Sequence, residues 1–554
     1  MTTQNLPVGT SDFKKIREDN RYYIDKTKFI KNIINDSPEI FLFPRPRRFG
    51  KTLNLSTLRY FFEKNDENTA PLFDKLAIRD TKEFNIHQGK YPVIYLTFKD
   101  LKALSWKSLF IHITSLLQKE FDRHTYLLES DALSQPDTAY FQSILNREAG
   151  IEDCADALFR LSQYLFHFYK ERVVILIDEY DTPIHAGYTK GYYEEIISFM
   201  RGFLSAGLKD NTYLYKGVLT GILRVAKESV FSGLNNLGVF TLLDQEYNTY
   251  FGFTDKEVRT LLNDYEIAEF YDKVSYWYNG YNFGGEIIYN PWSVLNFTAG
   301  KSREPRPFWV NTASTDIIDK LATRGGREVL EEIGILLENG VIEKPVYDSI
   351  VMKDLDIRDD LLWSFLLFSG YLKYTGDKIQ RKNYELKIPN EEVKIIYEEM
   401  VVRWFAEKVE SNKVEDMLKA LETGDITLFE IMLKKVVLQV MSYHDLSGEP
   451  EKVYHALVLG MLVWLSGKYE IRSNRESGYG RYDIMLKPID IKKHGIIIEF
   501  KQVNEKENPE KILESALKQI EEKAYAVELK ASGIKDILKI AVVFRGKELW
   551  VKNI

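Results

Sequence analysis

The chain has 554 residues, 45% hydrophobic and 28% charged, a balance that suits several packed domains and excludes extensive disorder. Its net charge of −7 excludes nucleic-acid binding by bulk electrostatics, so any such contact has to be local. Cys154 is the single cysteine, which excludes an internal disulfide and a cysteine-built zinc site; with no secretory h-region and no run of about 18 apolar residues, the expected location is cytoplasmic, with no membrane partner.

In chain order, the first stretch that bears chemistry is EIFLFPRPRRFGKTLNLSTLRYFF, residues 39–62. Glu39 to Phe43 reads as a buried strand, and Leu53, Leu55, Leu58, Phe61 and Phe62 recur at helical spacing behind it. Between them Gly50, Lys51 and Thr52 fit the end of the phosphate loop G-x-x-x-x-G-K-[ST], but the first glycine position holds Arg45. A helix starting after such a loop aims free N–H groups at an anion, with Lys51 reaching the β- and γ-phosphates and the Thr52 hydroxyl holding Mg²⁺. Pro44 and Pro46 can stiffen another backbone path, and Arg47 and Arg48 add charge beside it. Taken alone, the loop also reads as a basic surface turn.

Tyr91 to Phe98 is a second strand candidate, and RVVILIDEYDTPI (Arg172 to Ile184) a third, too continuously apolar to be half exposed. It ends in Asp178 and Glu179. An apolar parallel strand ending in acid suits a Mg²⁺ site, with Asp178 on the metal anchored by Thr52 and Glu179 orienting or deprotonating the attacking water. A buried strand with a solvated acidic end is the competing reading. Thr212 to Gly221 is the fourth strand; Thr220 near its end, and Arg224 beyond it, offer a γ-phosphate sensor beside the metal strand, although a surface carboxylate has an equal claim on Arg224. Helical stretches between the strands predict a parallel α/β sheet with right-handed crossovers.

These stretches, together with LPVGTSDFKKIREDNRYYIDKTKFI, TGILRVAKESVFSGLNNL, WYNGYNFG and IYNPWSV, resemble the AAA-ATPase-like proteins of bacteria and archaea, P-loop ATPases that carry an additional catalytic glutamate. In that family the loop looks like RPRRFGKT, so Arg45 departs from the general motif and not from the family. The resemblance implies an ASCE-type P-loop NTPase fold, ATP and Mg²⁺ as cofactors, and a nucleotide site built from Arg47, Arg48, Phe49, Gly50, Lys51, Thr52, Asp178, Thr220 and Arg224, with Glu179 catalytic. It also picks out Asp25 and Lys26, for which capping or packing is expected, and Arg201, read first as a solvated helix residue and second as a phosphate sensor.

From about residue 251 the pattern turns helical, with Thr254 and Glu257 as a capping box. Trp277, Tyr278, Tyr281, Phe283, Tyr289 and Trp292 are expected mainly as core and turn packing, with base stacking as the lesser reading. Residues 300 to about 440 carry amphipathic helices and a short β excursion near YLKYTG, and no catalytic constellation; this region reads as a helical lid and connector.

Tyr469 to Val503 holds three strand-like runs, with Asp483 in the second and Glu499 and Lys501 in the third. Glu499 and Lys501, two apart, share one strand face, and a neighbouring strand can bring Asp483 beside them. Two carboxylates hold a hard cation, and Lys501 positions or activates water and offsets phosphorane-like charge. The D…E-x-K pattern in an α-β-β-β-α order, with Gln519 and Tyr525 six apart on the following helix, resembles the PD-(D/E)XK nuclease superfamily, with Tyr482 where its name has proline. The resemblance implies a Mg²⁺-dependent phosphodiesterase, Mn²⁺ being a possible substitute. Arg475 and Arg481 are candidates for phosphate oxygens; His455 reads first as a core histidine and second as a stand-in for an acidic ligand.

The expected domains are 1–250, 251–440 and 441–554. The expected function is ATP hydrolysis coupled to cleavage of DNA or RNA; the alternative is a nucleotide-dependent switch or scaffold whose nuclease-like domain binds without cutting.

Overall fold

The computed structural model describes residues 4–224, 231, 236–309, 326–337, 340–358, 360–376, 382–398, 411–440, 458, 461–462, 465, 468–473, 476–477, 480–504 and 507–554. The chain forms two compact units, Met1–Ser314 with Glu343–Glu392, and Thr315–Ile342 with Val393–Ile554.

The first unit is an α/β domain around a five-stranded parallel sheet. Its strands are β1 (Ile40–Pro44), β2 (Val93–Thr97), β3 (Val173–Asp178), β4 (Leu214–Gly221) and β5 (Leu237–Val239), in the spatial order β2-β3-β4-β1-β5. Four of these are the strands that the apolar runs predict. The fifth, a three-residue edge strand, is too short to carry a periodic signal. Every residue of β1 and β3 is buried, as expected of central strands covered on both faces.

Helix α1 (Lys51–Phe62) follows β1 directly, while α2 (Trp106–Asp122) and α3 (Ile151–Tyr169) lie between β2 and β3, and α4 (Tyr193–Leu208) between β3 and β4. The crossover helices start on local signals: Ser105 caps α2 by accepting the N–H of Ser108, and Glu152 and Asp153 put negative charge in the first turn of α3. The order of strands has one decisive consequence. Because β4 is inserted between β1 and β3, the side chain of Thr220 lies next to the acid at the end of β3.

Beyond the sheet, α5 (Asp255–Asp264) begins with the predicted capping box of Thr254 and Glu257. The Lys26 ammonium donates to both Glu257 oxygens at 2.7 Å, and the Asp25 carboxylate accepts the N–H groups of Thr27 and Ala77, so both residues tie the N-terminal segment down. Tyr278, Tyr281, Phe283 and Tyr289 are core residues, as the packing reading expects. Helix α6 (Pro291–Ala299) follows, with Asn290 accepting the N–H groups of Trp292 and Ser293 as its cap. The short β excursion is present as Lys373–Tyr374 paired antiparallel with Asn383–Lys387.

In the second unit the C-terminal region is a mixed sheet of β6 (Tyr469–Ser473), β7 (Ile484–Pro488), β8 (Gly495–Gln502), β9 (Ile537–Arg545) and β10 (Glu548–Asn553), in that spatial order. Only β8 and β9 run parallel, and the chain between them passes through α7 (Pro509–Glu522). The core between α7 and the sheet includes Leu513, Ala516, Leu517, Ile520, Ile497 and Ala541. No helix among the described residues is long and apolar enough to cross a membrane.

Candidate functional site

The loop joining β1 to α1 is shaped by backbone geometry and by buried anchors. Gly50 adopts φ 84, a left-handed conformation that favours a residue without Cβ. Lys51 is 4% exposed, and its ammonium donates to the carbonyls of Arg45 at 3.0 Å and Pro46 at 2.9 Å. Burial lowers its pKa, opposed by the nearby carboxylates of Glu179, Asp178 and Asp181. Its present partners are neutral, so an anionic oxygen offers a stronger hydrogen bond.

Arg45, at the first glycine position, is fully buried and does not belong to a phosphate cradle. Its Nη1 donates to the carbonyls of Pro44 at 2.9 Å and Phe240 at 2.6 Å, and the guanidinium lies over Phe251 and Phe283. Burial pushes its pKa down to about 9. The position that usually gives the turn its freedom here anchors the loop to the segment after β5. Two tryptophans, neither given this role by the sequence, support the next residues. Trp309 Nε1 donates to the Arg47 carbonyl at 3.2 Å, and the Arg48 guanidinium stacks on Trp292 at 4.3 Å. The Phe49 ring packs against Tyr281 and Phe283, and its carbonyl accepts the Gly252 N–H at 3.0 Å, a third anchor of the loop.

Asp178 ends β3 fully buried. Its Oδ2 accepts the Thr52 hydroxyl and its Oδ1 the Thr220 hydroxyl, each at 2.7 Å. Burial raises its pKa, and these two hydrogen bonds limit the rise. The next residue, Glu179, has φ 52, and its side chain lines a cavity of about 340 Å³ together with Arg47 to Asn54. Gly9, Thr10 and Ser11 of the N-terminal segment also line it, residues whose order offers no chemical signal. Arg224 is not gathered in: its Nη1 donates to Asp348 at 2.8 Å. The Thr52 hydroxyl and Asp178 carboxylate are hard oxygen donors, and both Asp178 oxygens are held by hydroxyls rather than by a cationic side chain, a donor set that fits Mg²⁺ sharing its shell with phosphate and water.

The second site lies on β7 and β8. Their antiparallel register pairs Ile484 with Ile498, which sets Asp483 opposite Glu499. Asp483 accepts the N–H of Phe500 at 2.7 Å. Glu499 is 1% exposed; its Oε1 accepts from Lys501 Nζ at 2.9 Å and Gln519 Nε2 at 2.5 Å, while its buried Oε2 has no hydrogen-bond partner. Gln519 also donates to the Tyr525 hydroxyl at 3.2 Å. Burial, with Asp483 beside it, pushes Glu499 up to about 7, against the pull of Lys501. A buried carboxylate oxygen without a partner, opposite a second carboxylate, fits a divalent cation. Tyr482 at the proline position is fully buried and serves the core. Arg475, the Arg481 side chain and His455 lie outside the described residues. Among the described residues, no three His, Cys, Asp or Glu side chains gather as a metal site, so each candidate centre relies on one or two acids.

Residues 7–231 match the family model described as "Predicted AAA-ATPase", and residues 449–554 match that of the PD-(D/E)XK nuclease superfamily. The chain is also similar to an "Uncharacterized protein in vnfD 5'region" of Azotobacter chroococcum mcd 1, 27% identical over 556 residues, which cover 96% of this chain and 95% of that protein.

Proposed function

From a chain that carries a predicted AAA-ATPase domain and a PD-(D/E)XK nuclease-superfamily domain, we propose that the protein binds and hydrolyses ATP and uses that cycle to govern Mg²⁺-dependent cleavage of DNA or RNA. The observation that carries the first half is the Thr52–Asp178–Thr220 network, which joins the start of α1, the acid strand and the strand β4 beside it at one buried carboxylate. Lys51 meets the β- and γ-phosphates, the backbone N–H groups at the start of α1 hold their oxygens, and Glu179 accepts a proton from the attacking water. Thr52 and Asp178 would hold Mg²⁺, which would supply neutralisation of the charge on the phosphates.

The second half rests on the unpartnered Oε2 of Glu499. Asp483 and Glu499 would hold the cation, which would supply a more acidic water and charge stabilisation at the phosphate. Lys501 orients the water, and Gln519 fixes Glu499. A helical connector carries movement from the nucleotide site to this domain. The second reading, a nucleotide-dependent switch or scaffold that grips nucleic acid or protein without cutting, is favoured by the Arg224–Asp348 ion pair, since a sensor with a competing partner suits a switch. Cleavage of generic DNA and RNA by the full chain with Mg²⁺ or Mn²⁺, lost in Glu499→Ala, supports the first reading. ATP binding without cleavage under any of these conditions supports the second.

A further inference from the structure

Asp181 lies two residues beyond Glu179 and is 2% exposed. It stands at the N-cap of the helix Thr182–Lys190, where an aspartate ordinarily caps the first turn, yet its side chain makes no capping hydrogen bond. Its Oδ2 instead accepts two backbone N–H groups from the segment leaving β4, that of Ile222 at 2.8 Å and that of Leu223 at 3.0 Å. His185 Nε2 stands 3.4 Å from the same oxygen. Tyr180 holds other polar groups of that segment: its hydroxyl donates to the Leu223 carbonyl at 2.7 Å and its N–H to the Thr220 carbonyl at 3.0 Å. The approach is so close that a Cβ on Gly221 would lie 2.7 Å from Asp181 Oδ1 and from a Tyr180 ring carbon.

Between these anchors sits Glu179, with φ 52. A side-chain-bearing residue holds that left-handed backbone only where its surroundings over-determine it. On one side Asp178 is fixed by Thr52 and Thr220; on the other, Tyr180 and Asp181 grip Thr220 to Leu223. We infer that Asp181, together with Tyr180, is a positioning residue: its clamp on the end of β4 fixes the turn that aims Glu179 into the nucleotide cavity and fixes the point from which Arg224 departs. The kinetic consequence rests on the ATP-hydrolysis reading, whereas the clamp rests on these hydrogen bonds of the chain itself.

The test compares Asp181→Ala with Asp181→Asn in the full chain, because the asparagine carbonyl can still accept both N–H groups. Without nucleotide, Asp181→Ala should speed amide exchange in peptides covering residues 218–224, and Asp181→Asn should not. In ATP assays Asp181→Ala should lower kcat on the order of 100-fold with Kd for ATP held within about threefold, as misplacing a group that acts on the transition state does. Unchanged exchange, or kcat equal to wild type, overturns the inference; so does a loss of ATP binding that matches the loss of kcat. Should Asp181→Ala not fold, Tyr180→Phe removes the hydroxyl that bonds the Leu223 carbonyl and must speed the same exchange and lower kcat at constant Kd, or the inference falls. A wild-type chain that hydrolyses no ATP defeats the hydrolysis reading instead, and exchange over 218–224 then decides the clamp alone.

Discussion

Replacing Glu499 by glutamine should stabilise the C-terminal unit above pH 7 when divalent cations are chelated. Burial, reinforced by Asp483, holds Glu499 at about 7 against an ordinary 4.5. The folded state therefore binds the proton more tightly than the unfolded one, so stability is complete below about pH 4.5 and is lost as pH rises through 7. At about 1.4 kcal/mol for each tenfold change in proton affinity, the ionised carboxylate costs about 3 kcal/mol at pH 8. Glutamine keeps an acceptor for Lys501 and Gln519 but places an N–H where Oε2 has no partner, which costs about 1 kcal/mol. A net gain of about 2 kcal/mol at pH 8 should shrink to nothing or reverse at pH 5. Amide exchange over β8 in the full chain, with EDTA present and at both pH values, measures the difference. Adding Mg²⁺ should then slow exchange in wild type and not in Glu499→Gln. If the variant is less protected at pH 8 by the same amount as at pH 5, burial and Asp483 do not outweigh the Lys501 pairing of the carboxylate and the metal assignment loses its physical basis.

Lys51→Ala should weaken ATP binding about 100-fold, the value of a strong charge-assisted hydrogen bond, and equilibrium binding of a fluorescent ATP analogue reads it. Arg45→Met, which keeps the stem and drops the buried charge, should leave ATP affinity within about threefold, because the guanidinium is an anchor under aromatic rings and not a phosphate ligand. Lys501→Ala should retain Mn²⁺ binding at the Asp483–Glu499 site by calorimetry and lose cleavage, whereas Asp483→Ala should lose cleavage and that site's share of the binding, since of the two residues only Asp483 supplies a ligand.

Much of the architecture was legible because its signals are local. The apolar runs of β1 to β4, the Gly50-Lys51-Thr52 end of the loop and the capping box at Thr254 each depend on residues close in sequence. The spacing of Glu499 and Lys501 likewise carries their shared strand face, while the position of Asp483 needs the register of β7 on β8. What the sequence hid depends on tertiary placement. Arg45 reads as one more basic loop residue until Phe240, Phe251 and Phe283 enclose it. The ion-pair partner of Arg224, Asp348, lies far along the chain, where no local pattern points to it. Glu392, within the polar run Asn390-Glu391-Glu392, gives no hint that it is fully buried, accepts the Trp309 N–H at 2.7 Å and the Ser293 hydroxyl, and is pushed up to about 7 by that burial. Only the folded chain shows this carboxylate behind Trp309, the residue that supports the phosphate loop.

The central claim is that Glu179 turns a nucleotide site into a hydrolytic one, and phosphate release by the full chain tests it most directly. Wild type and Glu179→Gln are compared with ATP and Mg²⁺, in the presence and absence of DNA or RNA, at ATP concentrations that saturate both. Wild type should release phosphate, and Glu179→Gln should bind ATP as tightly and release it at least about 100-fold more slowly, because the amide cannot take the proton from water. Equal release by the two proteins, or equal loss of ATP binding in the variant, contradicts the account.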